Sequence, residues 1–206
     1  MEKAQRKERE CNLRRAEILE QAVKIFAAKG FHKTTMAEIA RASGFAVGSI
    51  YLLFESKEQL YTEMLSEKLN MMYSGIRKRV AKEADIVKKI EMMILSQFHF
   101  VEKNAEFCSI FIRGDHLSLS GGSIELRKRM MNDYAAHIAF VEAVMNEGVR
   151  RGILKGMDPR MMAAALAGII NSSASKWLTM TKRTSLLEHI PFVVDIFLKG
   201  VKKDAH

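Results

Sequence analysis

TTMAEIARASGFAVGSIYLLF, residues 34–54, holds two short apolar patterns separated by Ser43, Gly44 and Phe45. Neither half is long enough to be stable as an isolated helix in water. Thr35 and Glu38 have the spacing of a capping box, in which the threonine oxygen accepts from the backbone at residue 38 and the glutamate reaches back. That spacing predicts a helix of about eight residues, with Ile39 and Ala40 facing inward. Gly44 can take the positive φ that a tight turn needs. A second helix is expected over 47–54. Ile50 and Phe54, four apart, share its inner face, leaving Val47, Ser49 and Tyr51 to Leu53 on the other. Ala46 is a weak cap for it. Helix, glycine turn and short helix form the helix-turn-helix pattern, whose second member enters a DNA major groove.

Something must hold these stubs. The segment before them predicts a helix from about residue 8 or 12 to Lys29, with Ile18 or Leu19, Ala22, and Ile25 or Phe26 inward and Gly30 as its stop. Residues 1–12 carry four basic and three acidic groups and read as a frayed, solvated tail rather than a minor-groove arm.

Downstream, Ser56 caps a helix over about 57–82, whose acidic start and basic end (Arg77, Lys78, Arg79) suit the helix dipole. Asp85 caps one over about 86–103, apolar nearly all round and so expected to be buried on several sides. Further helices are predicted near 105–113, 123–151, from Asp158-Pro159 to about 181, and 191–203, with 114–122 as a loop. The fold class is all-α, with about nine helices and a three-helix head on a larger helical body.

The whole chain supports a globular protein. Its 206 residues include 48% hydrophobic and 28% charged side chains. Lys and Arg exceed Asp and Glu by 33 to 24, giving +9, which favours polyanionic partners such as nucleic acid. Two distant cysteines fit no disulfide framework and no metal or redox spacing. No secretion signal is evident, and the longest apolar run, residues 161–170, is far short of the ~20 residues of a membrane span. A cytoplasmic location with no membrane partner is expected.

The run GFHKTTMAEIARASGFAVGSIYLLFESKEQLY, residues 30–61, resembles the DNA-binding signature of the tetracycline-repressor (TetR) family of bacterial regulators. Gly30-Phe31, Thr34-Thr35, Ile39-Ala40, Gly44, Gly48 to Tyr51, Phe54, Ser56 to Glu58 and Leu60 carry the likeness. EGVRRGILKGMDP (147–159) and FVVDIFLKGV (192–201) resemble the family more loosely. The resemblance implies a DNA-binding domain over 1–56 and a ligand-binding and dimerisation domain over 57–206. It further implies a homodimer that holds a palindromic operator and a small-molecule effector that releases it.

Carried onto this chain, the resemblance implies DNA contacts by Thr34, Thr35, Tyr51 and Lys57, with base reading by Val47, Gly48, Ser49 and Leu52. Thr35 is also a simple cap, Tyr51 is otherwise a half-buried core aromatic, and Lys57 a solvated lysine. The reading face has no Arg, Asn or Gln, so more weight falls on DNA shape. Leu53 stands where the family commonly has histidine or tyrosine.

In the body, Ala164, Gly168, Ser172 and Ser175 lie near one face of a helix, so close approach to a symmetry mate is expected there, together with the last helix through Val193 and Phe197. Pocket candidates are Met92, Met93, Phe98, Phe107, Phe111, Tyr134, His137, Phe140, Asn171 and Trp177, an apolar set with a few polar groups. Fourteen methionines suit an adaptable lining. Each is more often ordinary core than ligand contact. Arg113, Asp115 and His116 border the loop and are candidate gate residues. No nucleophile–base pair, metal spacing or phosphate loop stands out, so no enzyme, metal or cofactor is expected. The rival reading is an α-helical carrier or enzyme whose ligand has no effect on DNA.

Overall fold

Asp85, Asp158 and Thr35 show how this chain punctuates itself into helices: each accepts a hydrogen bond from a backbone N–H two or three residues on, at Lys88, Arg160 and Glu38. The structure, a computed structural model, describes residues 2–113, 123–181 and 184–203. Among them run nine α-helices: α1 (Glu2–Lys29), α2 (Met36–Ser43), α3 (Val47–Tyr51), α4 (Lys57–Val80), α5 (Ile86–Lys103), α6 (Ala105–Arg113), α7 (Ser123–Arg150), α8 (Pro159–Thr179) and α9 (Ile190–Val201). A short 3-10 helix, Leu186–His189, precedes α9 and was not anticipated.

The expected loop at 114–122, with Asp115 and His116, lies outside the described residues, as do the side chains of Phe111 and Arg113. Two compact units emerge: Met1–Lys68 with Glu106–Lys128, and Leu69–Ala105 with Arg129–His206. The first unit thus extends past residue 56, because the first turns of α4 supply Leu60, Tyr61, Met64 and Leu65 to the buried side chains.

In the first unit, α1 starts earlier than expected: residues 2–12 are helical rather than a frayed tail. No Gly or Pro interrupts residues 1–29, and an Arg6–Glu10 pair at 3.1 Å adds i,i+4 support. Farther along, Ile18, Leu19, Ala22 and Phe26 are buried. Phe26, Phe31 and Tyr61 pack as an aromatic cluster, with Tyr61 edge-on to Phe26 at 4.8 Å and to Phe31 at 5.0 Å. Arg15 clasps α1 to α4 by bonding Glu63 and Glu67 while its guanidinium lies 5.0 Å from the Phe54 ring centroid.

In the second unit, α5 packs against α8 and α9. Ile90, Met93, Ile94, Phe98 and Val101 are buried, but Leu95 stays exposed, so α5 is covered less completely than its composition suggested. Lys89 bonds Glu147 at 2.8 Å, which ties α5 to α7. Gly152, at φ 69°, ends α7. The chain then folds Leu154 back against Gly148, where an added Cβ would lie 2.6 Å from a Leu154 methyl. One antiparallel bridge joins Leu154 to Lys202, with Lys155 N–H donating to the Val201 carbonyl at 2.7 Å.

Candidate nucleic-acid interface

The α2–α3 pair is built from backbone bonds upward. Thr35 has extended backbone, φ −117° and ψ 153°, and forms the full capping box with Glu38. Glu38 also binds the Lys29 ammonium, and this contact, followed by the Thr35 N–H, holds its carboxyl below the usual range. At the other end of α2, Gly44 adopts φ 72°. Phe45 N–H donates to the Ala40 carbonyl at 3.0 Å and Gly44 N–H to that of Arg41 at 3.4 Å, closing the helix in a Schellman-type ending. Buried Ser43 spends its hydroxyl on the Ile39 carbonyl at 2.7 Å.

Ala46 makes no side-chain cap, and α3 ends at Tyr51, three residues short of the expected Phe54. The reason is local: Leu53 N–H bonds back only three residues to Ile50, at 2.9 Å, which tightens the last turn. Phe54 nevertheless keeps its bond to the Ile50 carbonyl at 2.9 Å, and both side chains are fully buried. The outward side carries Val47, Gly48, Ser49, Tyr51 and Leu52, with Leu52 87% and Tyr51 50% exposed. Leu53 is half-buried. Thr35, with Lys33 and Arg41 as neighbouring cations, is also exposed.

Two expected DNA contacts are occupied with other work. Thr34 is 1% exposed and donates to the Gly30 carbonyl at 2.8 Å, satisfying the end of α1. It does not face solvent, and the expectation of a DNA contact there is corrected. Lys57 is half-buried, its ammonium 2.9 Å from the carbonyls of both Phe31 and Thr34 and 4.3 Å from the Phe31 ring centroid. It fastens the α1–α2 loop to the start of α4. Twenty-odd residues separate these groups, so no local pattern announced the contact.

The body candidates divide. Met93, Phe98, His137 and Trp177 are buried in the second unit, whereas Met92 and Phe140 are half-buried and Tyr134 and Asn171 exposed. Phe107 is buried but belongs to the first unit, and Phe111 lies outside the described side chains. Trp177 donates its indole N–H to the Thr184 carbonyl at 2.7 Å, and Asn171 accepts from Gln97 at 3.3 Å. On α8, Ala164, Gly168, Ser172 and Ser175 are all exposed. Val193 and Phe197 are not: they face the chain's own core, because α9 packs that side on α5 and α8. The exposed apolar residues of α9 are Phe192 and Ile196, which corrects the expected contact pair. Among the described residues no cluster of metal-ligating side chains occurs, and no helix is long and apolar enough to cross a membrane.

A boxed short helix, a left-handed glycine turn and a second helix that buries Ile50 and leaves its other face outward define a helix-turn-helix protein of the DNA-reading kind. Residues 18–64 match the sequence model of bacterial regulatory proteins of the tetR family, and 65–200 match that of the C-terminal region of YsiA-like proteins. The chain belongs to the TetR family, and it is a transcriptional regulator. It is 22% identical to the fatty acid metabolism regulator protein of Bacillus subtilis over 186 residues, covering 90% of this chain and 94% of that one. Among solved structures it resembles the fatty acid degradation regulator FadR of Bacillus halodurans, with TM-score 0.79, 22% identity, and 91% and 95% of the two chains covered. It also resembles FadR of Bacillus subtilis in complex with stearoyl-CoA, with TM-score 0.77, 22% identity, and 90% and 98% covered.

Proposed function

We propose that the chain is a homodimeric repressor, working in the cytoplasm, whose paired heads hold a palindromic operator and which a long-chain acyl ligand releases. The observation that carries the reading is the division of labour in α3. Ile50 and Phe54 are fully buried while Val47, Ser49, Tyr51 and Leu52 stand outward without folding duties. Thr35, at the start of α2, is open to a phosphate, and the exposed Tyr51 is a second phosphate donor. Val47 and Leu52 suit thymine methyls and Ser49 a base edge, with the absence of Arg, Asn and Gln leaving much of the selection to DNA shape.

A single short helix reads few base pairs, so two heads about one helical turn apart are needed for useful affinity. The exposed small-residue face of α8, with Phe192 and Ile196 on α9, supports a two-fold contact that would supply them. The acyl ligand is argued from the relatives, whose names concern fatty acid metabolism and one of which holds stearoyl-CoA. The second unit offers buried apolar side chains for such a chain, and the protein acts by binding rather than by catalysis.

Fluorescence anisotropy with the DNA upstream of the chain's own gene tests this. Binding tighter than to random duplex, and loss of that binding on adding palmitoyl-CoA, are expected. Equal affinity for both duplexes sinks the proposed operator, and ligand binding with no change in DNA affinity sinks the proposed release by ligand.

A further inference from the structure

His137 has no role in the reading above and is only 6% exposed, yet its Nδ1 has no hydrogen-bond partner among the described residues. Buried polar atoms are nearly always paired, and an orphan calls for a reason. The ring cannot turn away freely, because it stacks on Tyr73 with centroids 4.4 Å apart and planes 20° from parallel. That contact joins the end of α4 to the middle of α7, both within the second unit.

We infer that His137 Nδ1 is the hydrogen-bonding anchor for the carbonyl oxygen at the head of the acyl ligand. The inference rests on the acyl reading proposed above. Burial holds the imidazole neutral, its pKa down at about 4, with the Arg77 charge acting the same way. A neutral ring protonated at Nδ1 donates one N–H and carries no charge. Among the described residues the Arg77 charge acts on His137, while burial, then Tyr134 and Asp133, act on Tyr73. A neutral donor offers a carboxylate no opposite charge in place of the water it would give up. An uncharged acceptor, the carbonyl of a thioester, meets this site on better terms than a free fatty acid does.

The anchor also gives the ligand a differential grip. The empty state leaves Nδ1 unpaired, and the occupied state pairs it, so the bond favours the occupied conformation alone.

His137→Phe tests the assignment because it keeps a stacking ring on Tyr73 and deletes the N–H. Isothermal titration with palmitoyl-CoA should show affinity reduced ten- to hundredfold, while the melting temperature of the unliganded variant stays equal or rises. In the parent protein, the Nδ1 resonance of His137 should shift in nitrogen NMR on saturation with palmitoyl-CoA, whatever the fate of the variant. Palmitate should bind the parent more weakly than palmitoyl-CoA. Equal binding of palmitoyl-CoA by parent and variant, or an unmoved Nδ1 resonance, overturns the anchor alone. Palmitate binding as tightly as palmitoyl-CoA, and losing as much in the variant, overturns the neutral-carbonyl assignment. A parent that binds neither probe removes the acyl reading and the anchor with it.

Discussion

Lys57 lies over the ring of Phe31, its Nζ 4.3 Å from the centroid, and donates to the Phe31 carbonyl at 2.9 Å. With its second bond, to the Thr34 carbonyl, it holds the entry to α2 against the start of α4. A lysine so engaged orients the reading head from inside. Lys57→Met takes the ammonium from both carbonyls, leaving that of Phe31 the Thr34 N–H at 3.3 Å, and should cost about 1–3 kcal/mol in urea denaturation. Its DNA affinity should fall for all sequences, yet the slope of log K against log salt should hardly change. A slope reduced by about 0.9 would instead mark a direct phosphate contact.

Gly48 and Gly44 separate recognition from folding. An added Cβ meets nothing within 4 Å at either position, but Gly44 sits at φ 72° and Gly48 does not have a positive φ. Gly44→Ala should lose about 1–2 kcal/mol to left-handed strain. Gly48→Ala should gain up to about 1 kcal/mol of helix stability and, on the proposed reading, still weaken operator binding, because a methyl would stand where the backbone approaches the duplex. Thermal melts and anisotropy on the same two variants check both signs. A Gly48→Ala protein that binds operator as the parent does would contradict that close approach.

The two sides of α9 should respond differently to substitution. Ile196→Glu, on the exposed side, should leave the fold intact and, on the proposed dimer reading, give a monomer in analytical ultracentrifugation, with operator binding lost. Phe197→Ala, on the buried side, should cost about 3–5 kcal/mol of folding stability. If Ile196→Glu sediments as the parent does, the two-fold contact lies elsewhere.

Acid should find His137. Its folded pKa, about 4, lies below the ordinary 6.5, so between these values the unfolded chain takes up a proton that the folded chain refuses. Stability therefore falls as pH drops from 6.5 towards 4, by up to about 3 kcal/mol at 1.36 kcal/mol per unit, and the loss is absent above pH 6.5. Arg77, facing the imidazole, deepens this by repelling the imidazolium. Chemical denaturation of the parent and His137→Phe at pH 7.5 and pH 5 should show a smaller acid penalty in the variant. Equal penalties would place the histidine in solvent.

What could be read from the chain alone follows the range of the forces involved. The Thr35–Glu38 box, the Gly44 turn, Ser56, Asp85 and Asp158-Pro159 act over two to four residues, and each sits where the spacing put it. The inward pair Ile50 and Phe54 is equally local. The hold of Lys57 on the Phe31 and Thr34 carbonyls spans more than twenty residues and leaves no such local mark. Arg15's clasp on Glu63 and Glu67 reaches about fifty residues and leaves no periodic trace. In α9, apolar residues occupy both sides, so periodicity could not say whether Val193 and Phe197 or Phe192 and Ile196 turn inward. Packing on α5 and α8 decides it.

The recognition helix is a five-residue stub that borrows its order from two plugs, Ile50 and Phe54, sunk in the head. Its outer side is consequently exempt from selection for foldability. On the proposed reading, single substitutions at Val47, Ser49 or Leu52 redirect the protein to another operator without endangering the scaffold. A lineage carrying this head can acquire new target genes by point mutation, one base contact at a time.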